Sequence, residues 1–235
     1  IIMRHPVEGM AERSAFVLNQ SERPVPVVNA GSGKDQHPTQ ALLDVYTLRR
    51  SFEKLGGLEG KTILFAGDLL RGRTVRSLSQ LLTHFQDVKI IFASPKKFSM
   101  KQDVLDILDE SGVAYEETED FHGRMSEADA IYMTRVQDEH DAKDGTKSEK
   151  SFPEFSLLEE HLPQLKGHCA ILHPLPRRDE LDAKIDHDPR AKYWRQERNG
   201  MWTRTALLAM IMRADKEILE YWKDISSQAR HTADL

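Results

Sequence analysis

Short runs of β-branched and aliphatic residues alternate with helical stretches between residues 61 and 133, and this alternation limits the fold more than any other feature of the chain. Strands separated by helices predict right-handed crossovers and a mostly parallel sheet. The chain is therefore predicted to be an α/β protein with a doubly wound, mostly parallel sheet. The predicted strands are 62–66, 88–93, 113–116 and 130–133, and the helices between them are about 73–85, 101–111 and 123–128.

Elements on both sides of this region extend the prediction. A strand at 25–30 leads into a helix from 38 to about 55, which Gly56 and Gly57 end. On the other side we predict a helix at 154–161, a strand at 169–173 and a closing helix at about 203–222. The closing helix carries an apolar stripe that we expect to pack into the core.

These elements predict three parts of the chain. Residues 1–57 are expected to be the tail of a second α/β domain with a connecting helix, and residues 58–202 the main domain. Residues 203–235 are expected to be a helix that packs back across the domains, followed by a polar tail.

Charge and cysteine content exclude several classes of partner. The formal net charge of −5 provides no global basic field for nucleic acid or an anionic membrane, so any anion site must be local. The single cysteine, Cys169, permits no internal disulfide and fits a reducing compartment. No apolar run approaches the roughly 18 residues of a spanning helix. We therefore expect a cytoplasmic protein that binds neither nucleic acid nor membrane.

Two proline-containing motifs predict a polar binding site. In the His-Pro-Thr-Gln motif at 37–40, an imidazole and an amide lie near the start of one helix, with Pro38 at its first position. The second motif, His-Pro-Leu-Pro-Arg at 173–177, follows a predicted strand. Its Leu175–Pro176 bond can be cis and turn backbone carbonyls into a cleft. Together the motifs predict hydrogen-bonding groups for a small polar ligand.

Arginines at the ends of predicted strands point to an anionic ligand. Arg73 follows a strand and opens a helix, in a segment that would match a phosphate-binding G-x-x-x-x-G-K-[ST] loop if it were lysine. A planar guanidinium instead favours a bidentate grip on a carboxylate. Arg135 follows another strand, and Gln137 adds an amide. Because carboxyl ends of parallel strands share one edge of the sheet, we predict a site for a dicarboxylate. Arg4, before a predicted helix, is a weaker anion-binding candidate.

Other site classes have little support. No histidines have the spacing of zinc ligands, no serine lies in a nucleophile elbow, and the segment around Arg73 lacks the G-x-G-x-x-G pattern of dinucleotide sites. We expect neither a metal nor an organic cofactor. A long charged segment such as 137–150 is either a functional lid or a disordered loop. Because it leaves directly from the predicted site, we favour a moving lid.

Four motifs in the same order and spacing resemble the aspartate carbamoyltransferases. They are the motifs at 37–40, 67–75, 132–137 and 172–177, and the resemblance extends from Ile1 to about Arg213. It implies transfer of the carbamoyl group of carbamoyl phosphate to the α-amine of L-aspartate, a step of pyrimidine biosynthesis. The related ornithine enzymes are expected to carry cysteine where Pro174 stands, so the last motif favours aspartate.

The resemblance implies roles for the carbamoyl-binding residues. Arg4 and His37 would contact the carbonyl oxygen of carbamoyl phosphate and stabilise the oxyanion of the tetrahedral intermediate. Gln40 and the carbonyls of Leu175 and Pro176 would hold its amino group.

It also implies an aspartate site made by Arg73, Arg135 and Gln137, with the lid at 137–150 closing over it. In domain terms, residues 1–57 would be the end of a carbamoyl-phosphate domain with the inter-domain helix, and residues 58–202 the aspartate-binding domain. A homotrimer is implied as well, possibly joined by regulatory chains.

Departures from the family pattern leave alternatives open. A phosphate-binding Ser-Thr-Arg-Thr segment, and a lysine supplied by a neighbouring subunit, are expected in a stretch before Ile1, so we expect the chain alone to be catalytically crippled. His140 stands where arginine is expected. One alternative is a non-catalytic homologue or fragment that binds an amino-acid ligand or assembles with partners. The other is a carbamoyltransferase for another amino acid, which competition by succinate would discriminate.

Overall fold

A computed structural model describes the backbone of residues 1–135 and 152–233 and the side chains up to residue 226. Two parallel strands form a small sheet, β1 (Ile2–His5) and β2 (Val28–Ser32). Five more strands form the main sheet, and every pairing in it is parallel. They are β3 (Thr62–Ala66), β4 (Lys89–Ala93), β5 (Ala114–Thr118), β6 (Ala130–Met133) and β7 (Ala170–Leu172).

Seven α-helices connect or flank these strands in the described part of the chain. They are α1 (Met10–Asn19), α2 (Pro38–Ser51), α3 (Arg73–Leu82), α4 (Gln102–Glu110), α5 (Phe121–Arg124), α6 (Tyr193–Ile211) and α7 (Asp215–Ala233). The predicted class, α/β with a parallel sheet wound on both faces, is confirmed. Strands β3 and β6 have the predicted bounds, whereas β2 begins three residues later than residue 25.

The strand order places a crevice at one edge of the main sheet. The order is β5-β4-β3-β6-β7, so the chain builds outward from β3 on one side and then returns to continue with β6 on the other. Ligands of open α/β sheets bind where the order reverses, beyond the carboxyl ends of the strands on either side. Here those are the ends of β3 and β6, which lead to Arg73 and Arg135 respectively.

Two apolar cores cover the two faces of the main sheet. Ile63 and Phe65 face the core that contains α2, α3 and α4, while Leu64 and Ala66 face the core that contains Phe121 and Tyr193. Because alternate residues of a strand point to opposite faces, a strand buried on both sides must be apolar throughout. This explains the unbroken apolar run of β3 and fixes the strand ends that carry the polar residues.

The predicted helix at 154–161 is wrong. Two short 3-10 helices occupy this region, Pro153–Phe155 and Glu159–Gln164. Leu158 is extended between them, and its N–H donates to Nδ1 of His161. The side chain of His161 thereby satisfies a backbone donor that a continuous helix would have used internally.

The closing helix also differs from the prediction. It begins at Tyr193 and ends at Ile211, and α7 follows after a break at which Arg213 has a φ of 59°. A left-handed residue ends a helix because it turns the next N–H away from the helical carbonyls. The early turns escaped the sequence analysis because they are mostly polar and contain Gly200.

The predicted apolar stripe does not pack into a core. Leu208, Met210 and Ile218 are 40%, 64% and 52% exposed in the chain. Helix α6 packs against α2 instead, and its buried residues, Tyr193, Gln196, Asn199 and Gly200, lie in its first half. The polar half of α6 is therefore the half that reaches the interior.

Candidate active site

A cleft of about 370 Å³ lies at the carboxyl ends of β3 and β6. Seven of the eight predicted site residues line it; Gln137, like the predicted lid at 137–150 and His140, lies outside the described residues. The structure thus brings together residues that are up to 172 positions apart in sequence. The seven are Arg4, His37, Gln40, Arg73, Arg135, Leu175 and Pro176.

His37 is held at the start of α2, directly before Pro38. Its backbone N–H donates to Oγ of Ser77 on α3 at 2.9 Å, which ties the two helix starts together. The residue is 8% exposed, and its Nδ1 is buried without a hydrogen-bond partner in the described chain. Burial, together with the positive charges of Arg73 and Arg4, lowers the pKa of His37 to about 4. The imidazole is therefore neutral near pH 7 and can donate one N–H to a ligand oxygen.

Arg73 is the first residue of α3 and reaches across to the loop that follows β2. Its Nη1 donates to the carbonyl of Gly33 at 3.0 Å, and no described carboxylate lies within ion-pair distance of it. Gly31 makes room for it, because a Cβ at that position would lie 3.3 Å from the guanidinium carbon. Burial lowers the pKa of Arg73, and the charge of Arg4 lowers it further. An uncharged carbonyl group positions the guanidinium, so its positive charge can pair with an anionic ligand.

Arg135 reaches the same cleft from β6. Thr134, which precedes it, donates from its N–H and its hydroxyl to the carbonyl of Ala66, and both bonds are 2.8 Å long. These bonds tie the residue after β6 to the end of β3. The relation predicted from the sequence, two arginines at adjacent strand ends facing one site, is present in the structure.

The charge of the cleft is strongly positive. The thirteen described residues that line it include four arginines and no aspartate or glutamate. The whole chain, by contrast, has a formal net charge of −5. Charges of one sign in a cleft with apolar walls attract ions of the other sign, so the cleft is a site for an anion or for two anions together.

The His-Pro-Leu-Pro loop, residues 173–176, forms one wall of the cleft. The Leu175–Pro176 bond is cis, as the sequence allowed, and Leu175 has a φ of 46°, a left-handed value that costs energy for a residue with a Cβ. The N–H of Leu175 donates to Nδ1 of the buried His173 at 2.8 Å. Nδ1 is thus an acceptor, so Nε2 carries the hydrogen and donates to Glu180 at 2.8 Å. This fixes the orientation of the imidazole that supports the loop.

Sequence reasoning missed Arg204, the fourth arginine of the cleft. It lies on α6, and Gly200 one turn earlier leaves space for it, since a Cβ there would meet its Nη1. The pattern of a glycine four residues before an arginine was a signal, but only the packing of α6 on α2 brings Arg204 to the site.

Asp44 was missed as well. It lies one turn after Gln40 on α2 and is fully buried. It accepts hydrogen bonds from Gln40 at 3.0 Å, from Gln196 at 2.7 Å and from the hydroxyl of Tyr132 at 2.8 Å. Burial raises the pKa of Asp44 to about 7. Its spacing from Gln40, four residues on one helix face, was the available signal.

Comparison with known proteins identifies the family. The Asp/Orn binding domain of aspartate/ornithine carbamoyltransferase matches residues 59–211, and the carbamoyl-P binding domain of the same family matches residues 1–50. The chain belongs to the aspartate/ornithine carbamoyltransferase family. The resemblance that the four motifs indicated is thereby confirmed.

Similar proteins are named aspartate carbamoyltransferases. Aspartate carbamoyltransferase 1, chloroplastic, of Pisum sativum is 41% identical over 90% of the chain, and the match covers 53% of the pea protein. The catalytic subunit of aspartate carbamoyltransferase from Aliivibrio fischeri is 40% identical over 90% of the chain and 65% of its own length. The chain therefore spans between about half and two thirds of these two relatives.

A solved structure shares the fold. The aspartate transcarbamoylase of Trypanosoma cruzi, crystallised with carbamoyl phosphate and aspartate, superposes with a TM-score of 0.73 at 35% identity. The superposition covers 88% of the chain and 63% of the trypanosomal chain.

Neither a metal site nor a spanning helix is found in residues 1–135 and 152–233. Within these ranges no three histidine, cysteine or acidic side chains are grouped to hold an ion. No helix there is both long and apolar enough to cross a membrane.

Proposed function

We propose that this chain is part of an enzyme that transfers the carbamoyl group of carbamoyl phosphate to the α-amine of L-aspartate, the step that commits carbamoyl phosphate to pyrimidine biosynthesis. The observation that carries the proposal is the cleft at the ends of β3 and β6, which four arginines, His37 and Gln40 line and to which the described residues contribute no carboxylate. Both substrates are anions, and together they need several cations around one neutral carbonyl group.

In the reaction, the amine nitrogen of aspartate attacks the carbonyl carbon, a C–N bond forms, and the bond from carbon to the phosphate oxygen breaks. Negative charge develops on the carbonyl oxygen, which Arg4 and the neutral His37 stabilise as hydrogen-bond donors. Each such donor is worth on the order of 3 kcal/mol in the transition state. Holding both substrates in one cleft supplies much of the remaining rate enhancement.

The amine must also lose a proton. With its pKa lowered to about 4, His37 is too weak a base to hold that proton near pH 7. No carboxylate lines the described cleft either. The departing phosphate, which gains negative charge as the bond breaks, is the remaining base in contact with the reacting atoms. We therefore propose that the proton leaves with phosphate.

Aspartate is favoured over ornithine as the acceptor. Arg73 and Arg135 face one cleft, and two guanidiniums match two carboxylates. Ornithine presents one carboxylate and a second amine, so one of the two arginines would meet a like charge. Pro174, in the motif that the sequence assigned to the aspartate enzymes, also lines the cleft.

Isothermal titration of the chain with L-aspartate and L-ornithine, in the presence of inorganic phosphate, tests the acceptor. We expect aspartate and succinate to bind competitively and ornithine to bind at least tenfold more weakly. Ornithine binding that equals or exceeds aspartate binding would contradict the proposal. A colorimetric assay for carbamoyl aspartate tests turnover.

The second candidate function, which the sequence analysis leaves open, is binding of an amino-acid ligand without turnover. It predicts normal aspartate binding with no product even when the chain is joined to a complete carbamoyl-phosphate domain. Product formation by such a fusion would exclude it.

We also propose a homotrimer, and the exposed apolar residues support an assembly. Phe16 and Val17 on α1 and Tyr221 and Trp222 on α7 are more than 60% exposed. Sedimentation velocity would give the mass, and a monomer at all concentrations would contradict this part. Regulatory chains and a cytoplasmic location remain predictions, and the pea relative is named as chloroplastic.

A further inference from the structure

We propose that Asp44 and Gln196 are positioning residues that join the two halves of the carbamoyl amino site, Gln40 and the loop at 175–176, into one hydrogen-bonded unit. The inference rests on the proposed function, because it concerns how the same cleft recognises the –NH2 group of carbamoyl phosphate. Neither residue lines the cleft, so each acts through a neighbour.

A continuous line of hydrogen bonds connects the two halves. On the loop side, the N–H of His173 donates to Oε1 of Gln196 at 3.0 Å, and Nδ1 of the same histidine accepts from Leu175. On the α2 side, Nε2 of Gln196 and Nε2 of Gln40 both donate to Oδ1 of Asp44, at 2.7 and 3.0 Å. Leu175 and Gln40 are therefore separated by four hydrogen bonds, although they are 135 residues apart in sequence.

Asp44 determines which way the Gln40 amide points. Oδ1 of Asp44 accepts a hydrogen bond from Gln40 as well as from Gln196, so the –NH2 group of Gln40 is turned toward Asp44. Its carbonyl oxygen is then on the opposite side of the amide and available in the cleft that Gln40 lines. That oxygen, like the backbone carbonyls of Leu175 and Pro176, is an acceptor for an –NH2 group. A flipped amide would place a donor against the donors of the ligand.

Gln196 orients the loop at 173–176 through its own side-chain amide. Its Oε1 is used by the N–H of His173, and its Nε2 is used by Asp44, so both ends of the amide are occupied in one orientation only. Gln196 is 1% exposed and lies in the part of α6 that packs against α2. Each rotation of this amide would leave a buried donor facing a donor, which costs about 1–3 kcal/mol.

Burying a carboxylate costs desolvation free energy, so Asp44 is a poor means of stabilising the helix packing. This favours a positioning role for it. Asp44 has no exposed surface and is stabilised by three donors, the third of which is the hydroxyl of Tyr132 on Oδ2. Replacing a buried charge with a well-packed apolar side chain is often neutral for stability or stabilising. What an apolar residue cannot do is orient the two amides.

The test compares two variants with a matched control in the full chain. Gln196→Met keeps the length of the side chain but removes both hydrogen bonds, and Asp44→Asn keeps the shape and one acceptor oxygen for the two glutamines. The control is Thr47→Val, which removes the bond that Asn199 donates to Thr47 at 2.9 Å. That bond joins the same two helices, one turn farther along α2 and outside the line.

The first measurement needs no ligand. We record the side-chain amide signals of Gln40 by heteronuclear NMR in isotope-labelled chain. We expect Gln196→Met to shift them and to speed their hydrogen exchange at least tenfold, and Thr47→Val to leave them unchanged. Unchanged Gln40 signals in a folded Gln196→Met chain would overturn the inference, whatever the chain binds.

The second measurement uses two ligands that differ only at the amino group. Carbamoyl phosphate carries –NH2 where acetyl phosphate carries –CH3, so the ratio of their dissociation constants reports on the amino site. We expect Gln196→Met to lower the preference for carbamoyl phosphate at least fivefold, with affinity for acetyl phosphate changed less than twofold. Asp44→Asn should keep the preference within about threefold of the unsubstituted chain. Equal weakening of both ligands would show a merely structural role and overturn the inference.

The two measurements separate this inference from the proposed function. If the unsubstituted chain does not prefer carbamoyl phosphate, the proposed function fails, while the Gln40 signals still decide whether the coupling exists. If the preference is present but survives Gln196→Met, the proposed function stands and the positioning role is wrong.

Discussion

The proposed carbamoyl end of the cleft and its proposed aspartate end are built by different means. At the aspartate end, Arg73 and Arg135 each follow their own strand, and Arg73 is steadied by one backbone carbonyl. At the carbamoyl end, Gln40 and Leu175 are joined by a line of buried side chains from three parts of the chain. Carboxylates are recognised by charge, which tolerates small displacements. A neutral amide is recognised by donor and acceptor directions, which requires fixed partners.

The largest expected effect is at the aspartate end. Arg73→Ala removes two charge-assisted hydrogen bonds of about 2 kcal/mol each, so aspartate affinity should fall on the order of 1,000-fold. Affinity for carbamoyl phosphate should change much less. Titration calorimetry with each ligand checks the difference.

Arg76→Ala is the matched control for Arg73→Ala. Arg76 lies on the same helix but pairs with Asp103 and Asp35 and does not line the cleft. It should leave aspartate affinity within about twofold. Equal losses of both ligands in Arg73→Ala would remove the distinction between the two ends.

His37 should give a large acid effect on stability. Its pKa is lowered from 6.5 to about 4 in the folded chain, so the unfolded chain takes up the proton first as the pH falls. Stability should therefore fall between pH 6.5 and 4 by about 3 kcal/mol relative to His37→Gln, and the difference between the two proteins should not change with pH above pH 7. Urea unfolding of both proteins at several pH values measures this. A difference that is independent of pH would contradict the buried, neutral imidazole.

Asp44 should give an effect of the opposite sign. Its pKa is raised from 3.8 to about 7 in the folded chain, so the unfolded chain loses its proton first as the pH rises. The native charge is therefore costly above pH 7, and Asp44→Asn should gain about 2 kcal/mol between pH 5 and pH 8 relative to the unsubstituted chain. The same urea series checks it. A gain on acidification instead would mean that Asp44 is ionised at low pH.

The smallest expected effect is at Glu180. Hydrogen bonds from His173 and the N–H of Arg178 hold the pKa of Glu180 below its ordinary value, although burial alone would raise it. Glu180→Gln still accepts from His173 but removes the charge, at a cost of about 1 kcal/mol. Affinity for carbamoyl phosphate should fall a few-fold and that for aspartate should not change. A larger loss of affinity for aspartate than for carbamoyl phosphate would contradict the assignment of Glu180 to the carbamoyl end.

The sequence predicted the aspartate end better than the carbamoyl end for a physical reason. Arg73 and Arg135 are a few residues from strands whose apolar runs are buried on both faces, so local pattern locates them. The partners of Gln40 are different, since Gln196 is 156 residues away and lies in a polar stretch that was not recognised as helix. Arg204 lies inside the predicted closing helix at about 203–222, but nothing in its local pattern placed it at the site. Only the packing of α6 on α2 brings these residues to the site.

The exposed stripe on α6 and α7 shows a second limit of pattern reading. Helical periodicity identified Leu208, Met210 and Ile218 as one apolar face and predicted its burial. It does not specify which surface would pack against that face. In the chain as described they face outward. The pattern predicts helix correctly and burial incorrectly, because burial depends on surfaces outside the helix.

A crystal structure with N-(phosphonacetyl)-L-aspartate, a ligand that joins a phosphonate to aspartate, tests the central claim most directly. The account predicts that Arg73 and Arg135 contact the two carboxylates, that His37 and Arg4 contact the carbonyl oxygen, and that Gln40 keeps its –NH2 on Asp44. Arginines turned away from one another, each held in an internal ion pair with the ligand bound elsewhere, would contradict it.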